Sequence, residues 1–361
     1  MHSLDTLKNA STLSWNRVAA RLGAEDLSLA EAGTLLTEEA SLHLEIMAQA
    51  AHALTRRRFG NTIKLYAPIY LSNECVNSCR YCGFNALSGI ARKTLSAGEA
   101  IDEAKAVIAR GHRHLLLVAG EHPRALPLDR IEEIARAIRP LAAGLAMEMQ
   151  PFDETGYRRL AGAGVDGVTL YQETYDEAAY REMHPAGPKS EFGSRIAAVN
   201  AAARAGMRFI GIGALLGLSD WRREALALIA HARELMRAHW RCAISVSVPR
   251  IRDCASGFAA PCPVSDRELA QMICALRLAL PDAGIILSTR EPASLRDRLL
   301  PLGITQMSAG SITRPGGYTA QTPSGEQFHL EDTRTASDVA AMLVEKGYDP
   351  VWKDWDAHLV G

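Results

Sequence analysis

From residue 63 onward the chain repeats one pattern: a short apolar run, then a stretch with helical periodicity. The runs are Ile63–Leu71, His114–Val118, Gly144–Met149, Gly167–Tyr171, Arg208–Ile212, Ala243–Val248, Gly284–Ser288 and Thr305–Ser308. Helical stretches lie between most of them, at Ala97–Arg110, Arg130–Leu141, Asp153–Ala163, Arg195–Ala205, Arg222–Arg237, Asp266–Leu280 and Ser294–Leu300. Near-continuous apolar strands are buried on both faces, and intervening helices supply the crossovers of a parallel sheet. Eight such units in about 250 residues is what a (β/α)8 barrel of the TIM type takes. The rival is a doubly wound open sheet, which usually has fewer units.

The flanks read differently. Residues 1–60 form a helical extension: Ser28 and Glu31 have capping-box spacing and lead into an apolar face. Arg56, Arg57 and Arg58 precede Gly60, so they read as complements of a helix C-terminus before they read as a phosphate or RNA patch. A second capping box, Ser96 with Glu99, opens the first barrel helix. Residues 312–361 read as a tail with a short strand around Phe328–Leu330 and a helix over Ser337–Lys346. The expected organisation is therefore 1–60, 61–311 and 312–361, an α/β barrel with a helical extension and a strand–helix tail.

Composition removes several functions. Forty Lys+Arg against 41 Asp+Glu give a net charge of −1, which offers nucleic acid no basic face. No apolar run approaches the roughly 18 residues of a membrane span. The N-terminal stretch carries Asp5 and lacks the apolar centre of a signal peptide. The seven cysteines are odd in number and scattered, unlike a secreted disulfide framework. A cytoplasmic chain without membrane or nucleic-acid partners is expected.

Active-site groups of such barrels sit at the C-terminal ends of the strands. Those ends carry Glu74 and Cys75, Gly120 and Glu121, Glu148 and Gln150, Gln172 and Glu173, Arg250, Arg290 and Glu291, and Ser308 with Ser311. The first apolar run leads directly into Cys75, Cys79 and Cys82, spaced C-x3-C-x2-C. A structural zinc site wants four ligands, usually as two pairs, and no second pair lies nearby. Three thiolates from one loop can instead hold three corners of a [4Fe–4S] cube and leave the fourth iron open. Three free buried cysteines is the bland alternative, and close-packed thiols invite oxidation or metal capture.

This spacing, with Tyr81 just before the third cysteine, resembles the radical S-adenosylmethionine (SAM) superfamily. The resemblance implies that Cys75, Cys79 and Cys82 bind the cluster and that SAM chelates its open iron. It implies that the backbone around Tyr81 approaches the adenine, that Gly120 and Glu121 take the SAM amino group, and that Glu148 takes the ribose hydroxyls. Gln150, Arg195 and Ile212 complete the expected SAM site; Arg195 would hold the carboxylate unless it is only a surface residue at a helix start. The glycines of Gly211–Gly217 do not have dinucleotide-fingerprint spacing. They fit a close pass against adenine, or simply tight strand packing.

Longer phrases narrow the resemblance: Cys82–Asn85, Leu170–Asp176, His184–Lys189, Gly211–Leu218, Ser245–Arg252, Leu287–Glu291, Met307–Ser311 and Pro350–Trp355. Together they resemble the 2-iminoacetate synthase family across roughly residues 30 to 356. The family's reaction splits SAM with one electron, takes a hydrogen from the amino group of L-tyrosine and breaks its Cα–Cβ bond. 2-Iminoacetate for the thiazole of thiamine and p-cresol result. By this resemblance Arg290 and Ser308 hold the tyrosine carboxylate or amino group, with Arg250 a second candidate unless a barrel-mouth carboxylate such as Glu173 or Glu291 occupies it. Tyr171, Gln172 and Glu173 line the mouth, and His184 is more often structural than a proton relay. Implied partners are a flavodoxin or ferredoxin as electron donor and thiazole synthase as acceptor of the imine.

Other readings stay beside this one. The tyrosine lyase of hydrogenase maturation shares the first half of the reaction, but needs further cysteines beyond the barrel, and the last here is Cys274. A tryptophan lyase fits the phrases less well. A non-catalytic iron–sulfur or zinc barrel is the reading from a different class. Cys254 and Cys262 depart from the family pattern. Ordinary small loop residues are the favoured reading, ahead of a disulfide or accessory metal site.

Overall fold

The computed structural model describes residues 13–24, 26–319 and 324–352. Pro323 and the Lys353–Trp355 end of the last phrase lie outside them. Among the described residues nine strands form one sheet: β1 Thr62–Ser72, β2 His114–Ala119, β3 Gly144–Glu148, β4 Gly167–Thr169, β5 Phe209–Gly213, β6 Ala243–Ser247, β7 Gly284–Leu287, β8 Gln306–Ser308 and β9 Asp349–Val351. The first eight run parallel in chain order. β1 pairs with both β2 (Ala67 opposite Leu115) and β8 (Lys64 opposite Gln306), which closes the barrel. The fold is thus the TIM-type (β/α)8 barrel, not the open sheet.

β9 was not foreseen. Lys64 pairs with Gln306 on one edge and Val351 on the other, so β9 takes the stretch of β1 that precedes the start of β2. Pro350 sits in this strand because proline is tolerated at a sheet edge. The strand expected around Phe328–Leu330 does not form. Those residues are a loop over the barrel mouth. Its N–H groups go to tertiary carbonyls rather than a ladder, Gln327 N to Thr313 O and His329 N to Asp253 O.

Local signals hold well. The Ser28/Glu31 and Ser96/Glu99 capping boxes both form, each satisfying N-terminal donors at about 1 kcal/mol. Arg56, Arg57 and Arg58 occupy the last turn of helix Leu44–Phe59, which ends at Gly60 with φ 64°. One further helix, Glu177–Met183, follows β4; Asp176 caps it by accepting from Ala178 and Ala179 N–H. The N-terminal helices close on the outer ring, where Gln271 donates to the Leu35 and Thr37 carbonyls. Leu65, Leu117, Met147, Ile210, Val246, Ile285 and Met307 are all buried in one continuous core. Each such side chain contributes about 1.5–3 kcal/mol.

Candidate active site

β1 delivers the chain into residues 73–92, a loop held from several sides. Val76 N–H donates to Glu121 O, Ser78 N–H to Ala186 O and Arg80 N–H to Met183 O. The Arg92 guanidinium donates to the carbonyls of Asn73, Phe84 and Asn85. Gly120, at the end of β2, has no room for a side chain: a Cβ there would lie 2.3 Å from Glu74 O. Glycine at this position therefore lets strand and loop close together.

Cys75, Cys79 and Cys82 lie on the wall of a cavity of about 100 Å³ at the C-terminal mouth of the barrel. Burial and the neighbouring thiols push Cys79 up to about 11 and Cys82 up to about 12. Both are protonated at neutral pH until a metal displaces the protons. Among the described residues no three His, Cys, Asp or Glu side chains converge on one metal ion. Three thiolates on a single zinc would lie within about 4 Å of one another, given bonds of about 2.3 Å in a tetrahedron. Three thiolates from one loop suit three corners of a cluster.

The remaining wall is charged. Lys189 Nζ donates to Glu173 Oε1 at 2.7 Å and stands 5.7 Å from the Tyr81 ring centroid. Burial alone would raise Glu173, but the charges of Lys189 and Arg195 outweigh it and hold the carboxyl below its ordinary range. Glu173 has φ 71°, left-handed and costly for a residue with a Cβ, about 1–3 kcal/mol. Its Lys189 ion pair and the Leu215 N–H on its carbonyl hold it there. Arg195 is buried, not a surface residue; it lies 3.7 Å from Glu121, which also accepts from Asn77 Nδ2 at 2.8 Å. Glu148 projects into the lumen, raised to about 7 by burial and then by Glu173.

Deeper in the lumen, Arg290 and Ser308 share a second cavity with Tyr66, Glu148 and Tyr171. The Arg290 guanidinium carbon is 3.5 Å from the centroid of the Phe328 ring. Ser308 Oγ accepts the Thr289 N–H at 3.0 Å. Its backbone carbonyl accepts from buried Arg296, itself paired with Asp332.

Four expected residues are placed elsewhere. Arg250 pairs with Glu291 and Asp266, so the barrel-mouth carboxylate wins it. Gln150 accepts the His122 N–H and donates to Leu126 O, bracing the loop after β2. Gln172 donates to Phe192 O. Ile212 is core, 1% exposed. The glycines of β5 serve packing: a Cβ at Gly213 would meet Ser247 O at 2.5 Å and the Tyr171 ring at 2.8 Å. His184 bonds Tyr81 Oη through Nε2 and Tyr180 O through Nδ1, both at 2.8 Å, a structural arrangement. Cys254 and Cys262 are free thiols, Cys254 Sγ 3.2 Å from Tyr81 O.

Sequence reasoning missed Asn77, Lys189, Tyr66, Gln327 and Phe328, all of which line these cavities. Lys189 stood in the His184–Lys189 phrase, and its buried partner Glu173 was the available signal. Nothing near Gln327 or Phe328 in the chain pointed to the mouth.

Comparison with known proteins agrees with this geometry. Residues 69–229 match the radical SAM superfamily and residues 247–349 the biotin and thiamin synthesis associated domain. The chain is 44% identical over 343 residues to the 2-iminoacetate synthase of Escherichia coli (strain K12), covering 95% of this chain and 91% of that one. Among solved structures, HydG, a maturase of the [FeFe]-hydrogenase, superposes with a TM-score of 0.91 at 31% identity, over 99% of this chain and 80% of that one. HydG from Carboxydothermus hydrogenoformans gives 0.87 at 38% identity, over 97% and 81%.

Proposed function

The chain belongs to the 2-iminoacetate synthase family of radical SAM enzymes, and on that premise we propose that it cleaves the Cα–Cβ bond of L-tyrosine to 2-iminoacetate and p-cresol, splitting SAM to 5′-deoxyadenosine and methionine. The observation that carries this reading is that three closely spaced cysteines and Arg290 line one cavity at a barrel mouth. A [4Fe–4S] cluster on Cys75, Cys79 and Cys82 supplies, when bound, the electron that opens SAM.

The chain's own groups bind and orient. Arg195 and Lys189 give the SAM carboxylate cationic partners, and the backbone at Gly120 with Glu121 receives its amino group. Glu148 offers two acceptor oxygens to the ribose hydroxyls, and Tyr81 lies toward the adenine. Arg290 presents a planar fork to the tyrosine carboxylate, with Ser308 and Tyr171 beside it. The barrel lumen holds the reacting groups close together, and excluding water from them protects the radical.

Several wider features rest on the same reading. The electron donor is a flavodoxin or ferredoxin. The imine passes to thiazole synthase. The enzyme works in the cytoplasm; no helix among the described residues is long and apolar enough to cross a membrane. The division at residues 60 and 311 is part of the same proposal, with the segment beyond 311 packing on the barrel and supplying Gln327 and Phe328 to the cavity.

The test is anaerobic turnover. Iron- and sulfide-reconstituted protein with reductant, SAM and tyrosine yields p-cresol alongside 5′-deoxyadenosine. 5′-Deoxyadenosine without p-cresol would reject tyrosine as substrate.

A further inference from the structure

We propose that Gln327 is a positioning residue for the cluster: its side-chain amide donates a hydrogen bond to the Cys82 sulfur and raises the reduction potential of the centre held there. The inference rests on the cluster reading above.

The amide has both ends assigned. The buried Tyr70 hydroxyl donates to Gln327 Oε1 at 2.6 Å. That contact turns Nε2 the other way, where it reaches Cys82 Sγ at 4.0 Å. The flipped amide would aim a carbonyl oxygen at the sulfur, which a thiolate repels.

The backbone fixes the same register. Gln327 O accepts the Gly83 N–H at 3.0 Å, and Gln327 N–H donates to Thr313 O at 3.0 Å. A Cβ on Gly83 would lie 2.5 Å from Gln327 O and 2.6 Å from Glu326 O, so the segment seals directly onto the residue after Cys82. The contact joins positions 245 residues apart, so chain proximity does not produce it.

A donor aimed at a cluster sulfur withdraws negative charge. It favours the reduced, more negative state, and such hydrogen bonds are an established lever on iron–sulfur potentials. Asn77 Nδ2 also approaches Cys75 Sγ, at 3.8 Å, but it is shared with Glu121 Oε2 at 2.8 Å. The Gln327 amide has no such rival among the described contacts.

The test is an EPR-monitored redox titration of the full-length reconstituted protein without SAM, with iron counted in every sample. Gln327→Met removes the donor at similar volume, and the equilibrium for reduction falls about tenfold, a shift of about 59 mV for one electron. Gln327→Glu shifts at least as far in the same direction, because it puts an acceptor against the thiolate. Tyr70→Phe releases the amide and gives a smaller shift of the same sign. A fully loaded Gln327→Met protein with the wild-type potential overturns the inference. If that variant does not load iron, Tyr70→Phe decides, and an unchanged potential there overturns it. A wild-type chain that takes up no cluster overturns the proposed function as well, whereas loaded proteins with equal potentials overturn this inference alone.

Discussion

The Arg290 guanidinium stands over the Phe328 ring, 3.5 Å from its centroid, so a loop from beyond the barrel braces a side chain at the end of β7. A cation held on a ring face gains about 1 kcal/mol and loses rotamers it would otherwise sample. Phe328→Leu therefore raises the KM for tyrosine roughly fivefold with little change in kcat. Arg290→Ala raises the tyrosine requirement much further while sparing SAM cleavage in the absence of tyrosine. Steady-state kinetics checks both, and normal turnover by Arg290→Ala would show that the carboxylate binds elsewhere.

Arg250 carries a different expectation, because Glu291 holds it along with Arg252. Glu291 is nearly fully buried, so Glu291→Gln removes the carboxylate that Arg252 pairs with, leaves Arg250 with Asp266, and costs about 3 kcal/mol. Urea denaturation reads that loss. Arg250→Ala lowers stability too, with the tyrosine KM of the folded fraction unchanged; a large KM increase would return Arg250 to the substrate site.

Gly120→Ala tests the seam between β2 and the cysteine loop. The added methyl meets Glu74 O, a backbone atom that has no free rotation to escape. The variant folds, as judged by circular dichroism, but retains less than half the wild-type iron after desalting. Wild-type iron content in Gly120→Ala would mean that the loop has slack there.

Glu224 gives the pH dependence. It accepts from the Thr174 hydroxyl and the Tyr175 N–H, and burial pushes it up to about 7 from an ordinary 4.5. The folded state thus keeps a proton that the unfolded chain releases near pH 4.5. That contribution is present at low pH and is lost as pH rises through 7, up to about 3 kcal/mol. Apo protein loses stability from pH 5 to 8 relative to Glu224→Gln, whose curve is flatter. Parallel curves for the two proteins would place the Glu224 carboxyl at its ordinary range.

What the sequence made legible was local. The barrel followed from runs such as Gly284–Ser288 alternating with helical stretches such as Asp266–Leu280, because strand burial and helix capping are written in neighbouring residues. The cysteine trio was legible for the same reason. The family phrases pointed to Arg290 and Ser308 and the superfamily resemblance to Glu148, and the fold gathers all three around one lumen. Long-range pairings were not legible. Arg250 and Arg290 are both strand-end arginines, and long-range partners separate their surroundings: Glu291 and Asp266 pair with Arg250, whereas Phe328 stacks on Arg290. Gln327 and Phe328 reach the mouth through a turn fixed by Thr313 and Gly83 backbone groups, which leaves no pattern in the residues themselves. Gln150 and Gln172 read as polar mouth residues, yet their amides are consumed by the Leu126 and Phe192 carbonyls.

Metal and sulfide stoichiometry with EPR is the direct measurement on the cysteine trio. Anaerobically reconstituted wild-type protein binds a four-iron, four-sulfide centre whose reduced spectrum changes when SAM is added, and Cys79→Ala binds none. One zinc per chain with no sulfide, or a spectrum indifferent to SAM, would contradict an open-cornered centre at the barrel mouth.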